Sequence, residues 1–335
     1  MSNLRQNGFE IEDKKVISFY RGENYRTEII VPEGVTVIGE RVFANFTELT
    51  KVTLPKGIRK IESQAFAGCC SLEEINLPEE LLSIESAAFE GCTSLETITL
   101  PKSFLKLGDN TFNNCFNLKE LHILGSKIII DYCAFHNCCS LESINGRKIQ
   151  NGFFALGGRL INFNQCQNEN KNIVIPEGIK EIGDYAFSDC DTVETVTIPS
   201  SCTKIGTKAF CYCENLKSVL INEGCKLIKD FAFFCCSNLE VAIIPGSVKE
   251  IQSNAFADCE NLVKVTMGEG IEVLDGEVFK NCINLTDVKL PSSCKEISYD
   301  IFKGCSKLSK EKRAAIAAAE DELSLFGSYG IDNFC

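Results

Sequence analysis

The sequence predicts a repeat solenoid built on a parallel β-sheet, and three observations carry that expectation. Eleven phenylalanines stand in a 23-residue register, at Phe43, Phe66, Phe89, Phe112 and Phe135 and again at Phe187, Phe210, Phe233, Phe256, Phe279 and Phe302. Between them lie alternating apolar and polar residues, as in Val52-Thr53-Leu54 and Ile98-Thr99-Leu100, the pattern of a strand with one buried face. All eight prolines fall in the column directly after that stretch, from Pro32 to Pro291. A period of this length marks coils that bury their apolar edge only against their neighbours.

Each part of the coil follows from its residues. Proline cannot donate to a sheet ladder, so its column ends the strand at a corner. Beyond the corner, an apolar residue stands five before each Phe, from Ile38 and Ile61 to Ile297, and predicts a second short extended piece. Three residues after Phe comes Cys, from Cys69 to Cys305, with Phe46 in the first coil; six after it comes Leu, or Val193. Spacing of three suits a compact turn or a short 3-10 segment, too brief for an amphipathic helix. About six apolar side chains per coil turn inward, each worth roughly 1.5–3 kcal/mol when fully buried. Successive strands therefore stack in parallel.

The repeat I-G-x-x-A-F-x-x-C-x-x-L-x-x-[IV]-x-[IL]-P, as in Ile182-Gly183-Asp184-Tyr185-Ala186-Phe187-Ser188-Asp189-Cys190, resembles the BspA-type leucine-rich repeat. The resemblance covers roughly residues 29–308. It implies a right-handed leucine-rich-repeat superhelix and a non-catalytic role, and several members of the family are surface proteins that bind other proteins.

The step from Phe135 to Phe187 breaks the count because the chain starts again. Shifted by 144 residues, Asn7-Gly8-Phe9 falls on Asn151-Gly152-Phe153, and Pro32-Glu33-Gly34 on Pro176-Glu177-Gly178. Asp13-Lys14 falls on Gly157-Gly158, a pair that accepts the positive φ angles of a tight hairpin. The expected organisation is a module over 1–150 with a hairpin and five repeats, a second over 151–308 with a hairpin and six, and a cap over 309–335. Gln165 to Asn172 reads as a polar loop. Ser309 offers an N-cap to a run of strong helix formers, so a C-terminal capping helix is expected, with Ile316, Leu323 and Phe326 turned to the last coil.

Composition narrows the partners. The net charge is −12 with no run of Lys or Arg, which disfavours nucleic acid and anionic membranes. No apolar stretch approaches the ~20 residues of a membrane span, and Met1 to Gly8 lacks the apolar segment of a signal peptide; a cytoplasmic location is expected. Of the twenty cysteines, ten form the column after Phe, and Cys202, Cys225 and Cys294 replace an apolar residue; they are expected to be inert structural thiols. The redox or metal candidates are Cys69-Cys70, Cys138-Cys139, Cys235-Cys236 and Cys211-x-Cys213. There is no C-x-x-C and there are two histidines, so neither metal nor cofactor is expected.

No phosphate loop, dinucleotide fingerprint, zinc-protease or nucleophile-elbow motif occurs. His122 and His136 lie on different sides of one coil, which excludes joint action. A binding face is the better prospect. The outward strand columns are mostly small and polar, but Leu220, Val241 and Ile243 are not, and Val263 and Lys264 lie beside them. These five residues are the candidate protein-binding site. The column Glu73, Glu96, Glu142, Glu194 and Glu240 reads as a solvated edge or a means of steering a basic partner. The expected function is a non-enzymatic scaffold that binds another protein through its sheet face. The alternatives are a surface or exported adhesin or effector and, less so, a thiol-redox protein.

Overall fold

The structure, a computed structural model, describes residues 4–6, 8–20, 27–125, 128–131, 133–298, 300–309 and 311–312. The chain divides into two compact units, Met1–Phe153 and Phe154–Cys335. Both are stacks of coils, and each coil offers a longer strand before the proline corner and a two-residue strand beyond it. The two kinds of strand build separate parallel sheets.

In the first unit the short strands Val37–Ile38, Lys60–Ile61, Ser83–Ile84, Lys106–Leu107 and Ile129–Ile130 continue an antiparallel hairpin, Phe9–Glu12 with Lys15–Phe19. The hairpin turns on Asp13 and Lys14 with φ of 47° and 65°, both positive, as a two-residue turn demands. The longer strands form two sheets. Glu28–Ile30, Lys51–Thr53 and Glu74–Ile75 make one; Thr97–Leu100, Glu120–Ile123 and Ser143–Ile144, closed by antiparallel Arg147–Lys148, make the other. Beyond Glu74–Ile75 the side chain of Asn76 extends the pairing back to the preceding coil. Its Oδ1 accepts from the Leu54 N–H and its Nδ2 donates to the Leu54 carbonyl.

The second unit repeats the plan. The hairpin Phe153–Leu156 with Arg159–Phe163, turning on Gly157 and Gly158, leads a sheet of six short strands from Glu181–Ile182 to Glu296–Ile297. Asn172–Val174, Thr195–Ile198, Ser218–Ile221, Val241–Ile244, Lys264–Met267 and Asp287–Val288 form the longer-strand sheet. The polar stretch before it holds a 3-10 turn, Gln165–Gln167, capped by the Asn164 side chain. The strand already begins at Asn172, one residue inside the expected loop.

The expected compact turn around Phe is itself an inter-coil ladder. In the coil of Phe66 the N–H groups of Gln64, Phe66 and Gly68 donate to the carbonyls of Ser86, Ala88 and Glu90 in the next coil. The residues two before and two after each Phe take positive φ, as at Gln64 (56°) and Gly68 (73°). The left-handed region is costly for most side chains. The column after Phe answers this with Gly, Asn or Asp in nine coils of eleven, the departures being Tyr212 and Cys235.

The Phe rings fill the centre of each unit. Neighbouring rings lie 4.6–5.6 Å apart and nearly parallel, as for Phe210 on Phe233 and Phe233 on Phe256, both 4.9 Å. This distance follows from the strand spacing of about 4.8 Å. The Cys column does more than fill space. In nine of its ten members the Sγ–H reaches back to the carbonyl of the Phe one coil earlier: Cys69 to Phe43 at 3.1 Å, Cys213 to Phe187 at 3.0 Å, Cys305 to Phe279 at 3.1 Å. A buried acceptor thereby gains a donor that Val or Leu lacks.

Among the described residues seventeen cysteines are free thiols. Cys139 of the first unit, from the candidate pair Cys138-Cys139, is disulfide-bonded, and so is Cys166 of the second unit. At the C-terminus the Lys312 N–H donates to Ser309 Oγ at 3.2 Å, the cap its sequence offers; the remainder of the expected capping helix lies outside the described residues.

Candidate functional site

The longer-strand sheet of the second unit carries the candidate residues, and its register decides which of them meet. Burial alternates along each strand: Val219, Ile221, Ala242 and Ile244 point into the core, so Leu220 and Ile243 point outward. They are Cα partners on adjacent strands, at 42 % and 43 % exposure. Val241 is half-buried and pairs with Ser218 on one side and Lys264 on the other. Val263 is 45 % exposed one residue before Lys264, its N–H bound to the Glu240 carbonyl at 3.0 Å. All five candidates therefore fall on neighbouring coils.

Two features complete the patch. Val174, 68 % exposed, occupies the same column as Leu220, with Thr197 between them. Counting back 23 residues from Thr197 finds it; the hairpin insertion hid that step. Ile30 holds the equivalent place in the first unit, at 75 % exposure. Lys264 is not a free cation, since its Nζ lies 3.2 Å from Asp287 Oδ2.

The acidic column beside the patch is a mixed ladder. Glu194 accepts from Lys171 at 2.8 Å and Lys217 at 2.7 Å, and in the first unit Glu96 accepts from Lys119 at 2.7 Å. Hydrogen bonds from Lys171 and Lys217 pull the Glu194 carboxyl down to about 2. At Glu194 the column therefore presents paired charge, not an open carboxylate. His122 approaches Glu120 at 3.5 Å across one strand. Among the described residues no group of three or more His, Cys, Asp or Glu is placed to hold a metal, and no helix is long and apolar enough to cross a membrane.

The burial of the vicinal cysteines differs. Cys69, Cys138 and Cys236 are buried, whereas Cys70 and Cys235 are half-buried. Burial first, and then the charges of Asp258, Glu260 and Glu214, push the Cys235 thiol up to about 11. Burial likewise drives Cys211 to about 12. A nucleophilic or redox thiol needs the opposite shift.

The same architecture is found in solved bacterial proteins. A leucine-rich repeat protein from Bacteroides ovatus ATCC 8483 is 28 % identical, with a TM-score of 0.54 over 91 % of this chain and 84 % of that one. One from Eubacterium ventriosum ATCC 27560 is 22 % identical, with a TM-score of 0.64 over 88 % and 89 %. The pneumococcal vaccine antigen PcpA, at 19 % identity and a TM-score of 0.55 over 95 % and 96 %, shares the fold. No curated protein matches the chain. The model of the BspA-type leucine-rich repeat region matches six copies over residues 17–145 and 180–309, the two stacks of coils described above. On that match, covering most of its length, the chain belongs to the BspA-type leucine-rich repeat family.

Proposed function

We propose that this chain is a non-catalytic scaffold that binds another protein on the longer-strand sheet of its second unit, with Leu220, Val241, Ile243 and Val263 as the apolar centre and Lys264 at the rim. The observation that carries this is the exposed column Val174, Leu220 and Ile243 on a sheet whose other outward positions are mostly polar. A rigid sheet costs little ordering on binding, and covering about 300–400 Å² of apolar surface there gives several kcal/mol before association costs. Specificity comes from side chains that differ between coils, since the repeated ones are buried.

The test is a double variant, Leu220→Glu with Ile243→Glu, set beside Thr99→Glu on the first unit. Both side chains are exposed, so the double variant should unfold within about 1 kcal/mol of wild type. Quantitative pull-down with the wild-type chain should capture a partner that Thr99→Glu retains and the double variant loses. Capture equal in all three removes the patch from consideration. Labelling of intact against lysed cells then decides between a cytoplasmic contact and the surface or exported alternative.

A further inference from the structure

The second unit carries another unusual surface, on the turns around Phe and away from the sheet just described. Lys208 Nζ lies 5.4 Å from the centre of the Tyr185 ring and 5.7 Å from that of Phe231. Phe231 meets Phe234 edge-on at 5.4 Å, and Tyr212 meets Phe234 edge-on at 5.7 Å. Tyr212 is 45 % exposed. Corresponding positions in the first unit hold Arg41, Gln64, Ala44 and Ala67, so the coil does not need aromatic residues there.

The backbone makes this cluster more telling. Tyr212 has φ of +59°, in the column where nine coils place Gly, Asn or Asp. The column abandons its favoured residues only at Tyr212 and the neighbouring Cys235. A bulky side chain kept in the left-handed region is an outlier, and such outliers gather at ligand clamps. Carboxylates lie on the same turns. The Glu214 N–H donates to the Tyr212 carbonyl at 2.9 Å, and Asp189 and Asp258 hold the same column one coil before and two coils after Tyr212. Asp258 accepts one bond, from Asn281 Nδ2 at 2.8 Å, which leaves it further lone pairs.

We propose that this cluster is a second binding site, which takes an arginine side chain from a basic peptide segment of a partner. Lys208 already occupies the slot between Tyr185 and Phe231 as an internal cation on aromatic faces. The exposed Tyr212 ring is the remaining platform, and Glu214 on its own turn, Asp189 on the preceding coil and Asp258 two coils on supply carboxylate acceptors along the column. A planar guanidinium stacks on such a ring while its edge N–H groups reach carboxylates; a lysine ammonium is a hydrated point charge that does this less well. The chain's net charge of −12 favours approach of the same partner.

The test uses the whole chain and a fluorescein-labelled nonapeptide bearing three arginines, followed by anisotropy at physiological salt. A matched peptide bearing three lysines and an acidic oligosaccharide are the other probes. The arginine peptide should bind saturably and at least about threefold tighter than the lysine peptide, and Tyr212→Asn should weaken it about tenfold. Asn suits the left-handed backbone, so the variant's melting temperature should hold or rise, which separates loss of the ring from loss of the fold. Equal binding of the two peptides, unchanged binding by Tyr212→Asn, or preference for the acidic oligosaccharide overturns the proposal.

Discussion

Phe233→Ala should lower the stability of the second unit by about 3–5 kcal/mol, whereas Glu240→Gln, seven residues on, should change it by less than about 0.5 kcal/mol. Phe233 is fully buried and its ring lies 4.9 Å from each neighbour, Phe210 and Phe256. Removing it opens a cavity between two coils that are held open by their own hydrogen-bonded ladders. The backbone on either side cannot collapse into the space, because the Phe233 N–H is bound to the Ala255 carbonyl at 2.7 Å and its own carbonyl receives the Cys259 thiol at 3.1 Å. In a stack where each coil contacts only its neighbours, one vacancy weakens two interfaces. Glu240 is exposed, and its main chain, which the substitution keeps, makes the contacts to Val263 and Lys264. Urea unfolding followed by far-UV circular dichroism checks both variants. Equal destabilisation would mean that the phenylalanine register is not the core register.

The contrast between these two positions also shows what could be read from the chain alone. Within each unit the Phe column repeats every 23 residues, and Pro and Cys, where present, keep fixed places relative to it, so the coil, its corner and both hairpins follow from counting. Leu220 and Ile243 follow too, since strand alternation fixes which residues face outward. The two left-handed residues of each turn were harder to see. Their trace, Gly, Asn or Asp two after Phe, stands in the sequence, but its meaning depends on a backbone angle that spacing does not give. The aromatic cluster was missed for the same reason: Tyr212, Phe231 and Phe234 sit in turn columns where other coils carry unrelated residues. Nor does composition reveal that the Cys column donates to carbonyls; a small apolar residue would satisfy the same periodicity. Val174 was within reach of the same count, but the ion pairs of Lys264 and Glu194 needed the paired strands, which bring together residues 23 apart.

The thiol ladder leads to the second large effect, a steep loss of stability in mild alkali. Burial holds the thiols of Cys92, Cys115, Cys138, Cys213 and Cys236 above their ordinary 9.0, with Cys115 at about 12. At Cys282 a hydrogen bond with Cys305 leads, and burial adds to it. Each folded thiol therefore keeps its proton at pH values where the unfolded chain releases it. Above pH 9 the unfolded state binds fewer protons than the folded one, so stability falls as pH rises, and the fall continues until the folded thiols themselves ionise. The stabilisation is fully present below pH 9. Each such thiol costs about 1 kcal/mol between pH 9 and 10, rising toward about 1.4 kcal/mol per pH unit beyond that. Three of the six lie in the first unit, which should lose about 3 kcal/mol between pH 9 and 10, a large share of the 5–15 kcal/mol typical of a domain. The second unit holds the other three together with Cys202, Cys211, Cys225, Cys235 and Cys294, which burial also raises, and should lose more. Urea unfolding at half-unit steps from pH 7.5 to 10.5, under reducing agent, measures the slope. Cys236→Val removes one titrating group and should flatten it by about one proton, a change that tyrosine or lysine titration cannot mimic. A slope below one proton per unit, or one that Cys236→Val leaves unaltered, would mean that the ladder thiols ionise as freely in the folded coils as in the open chain.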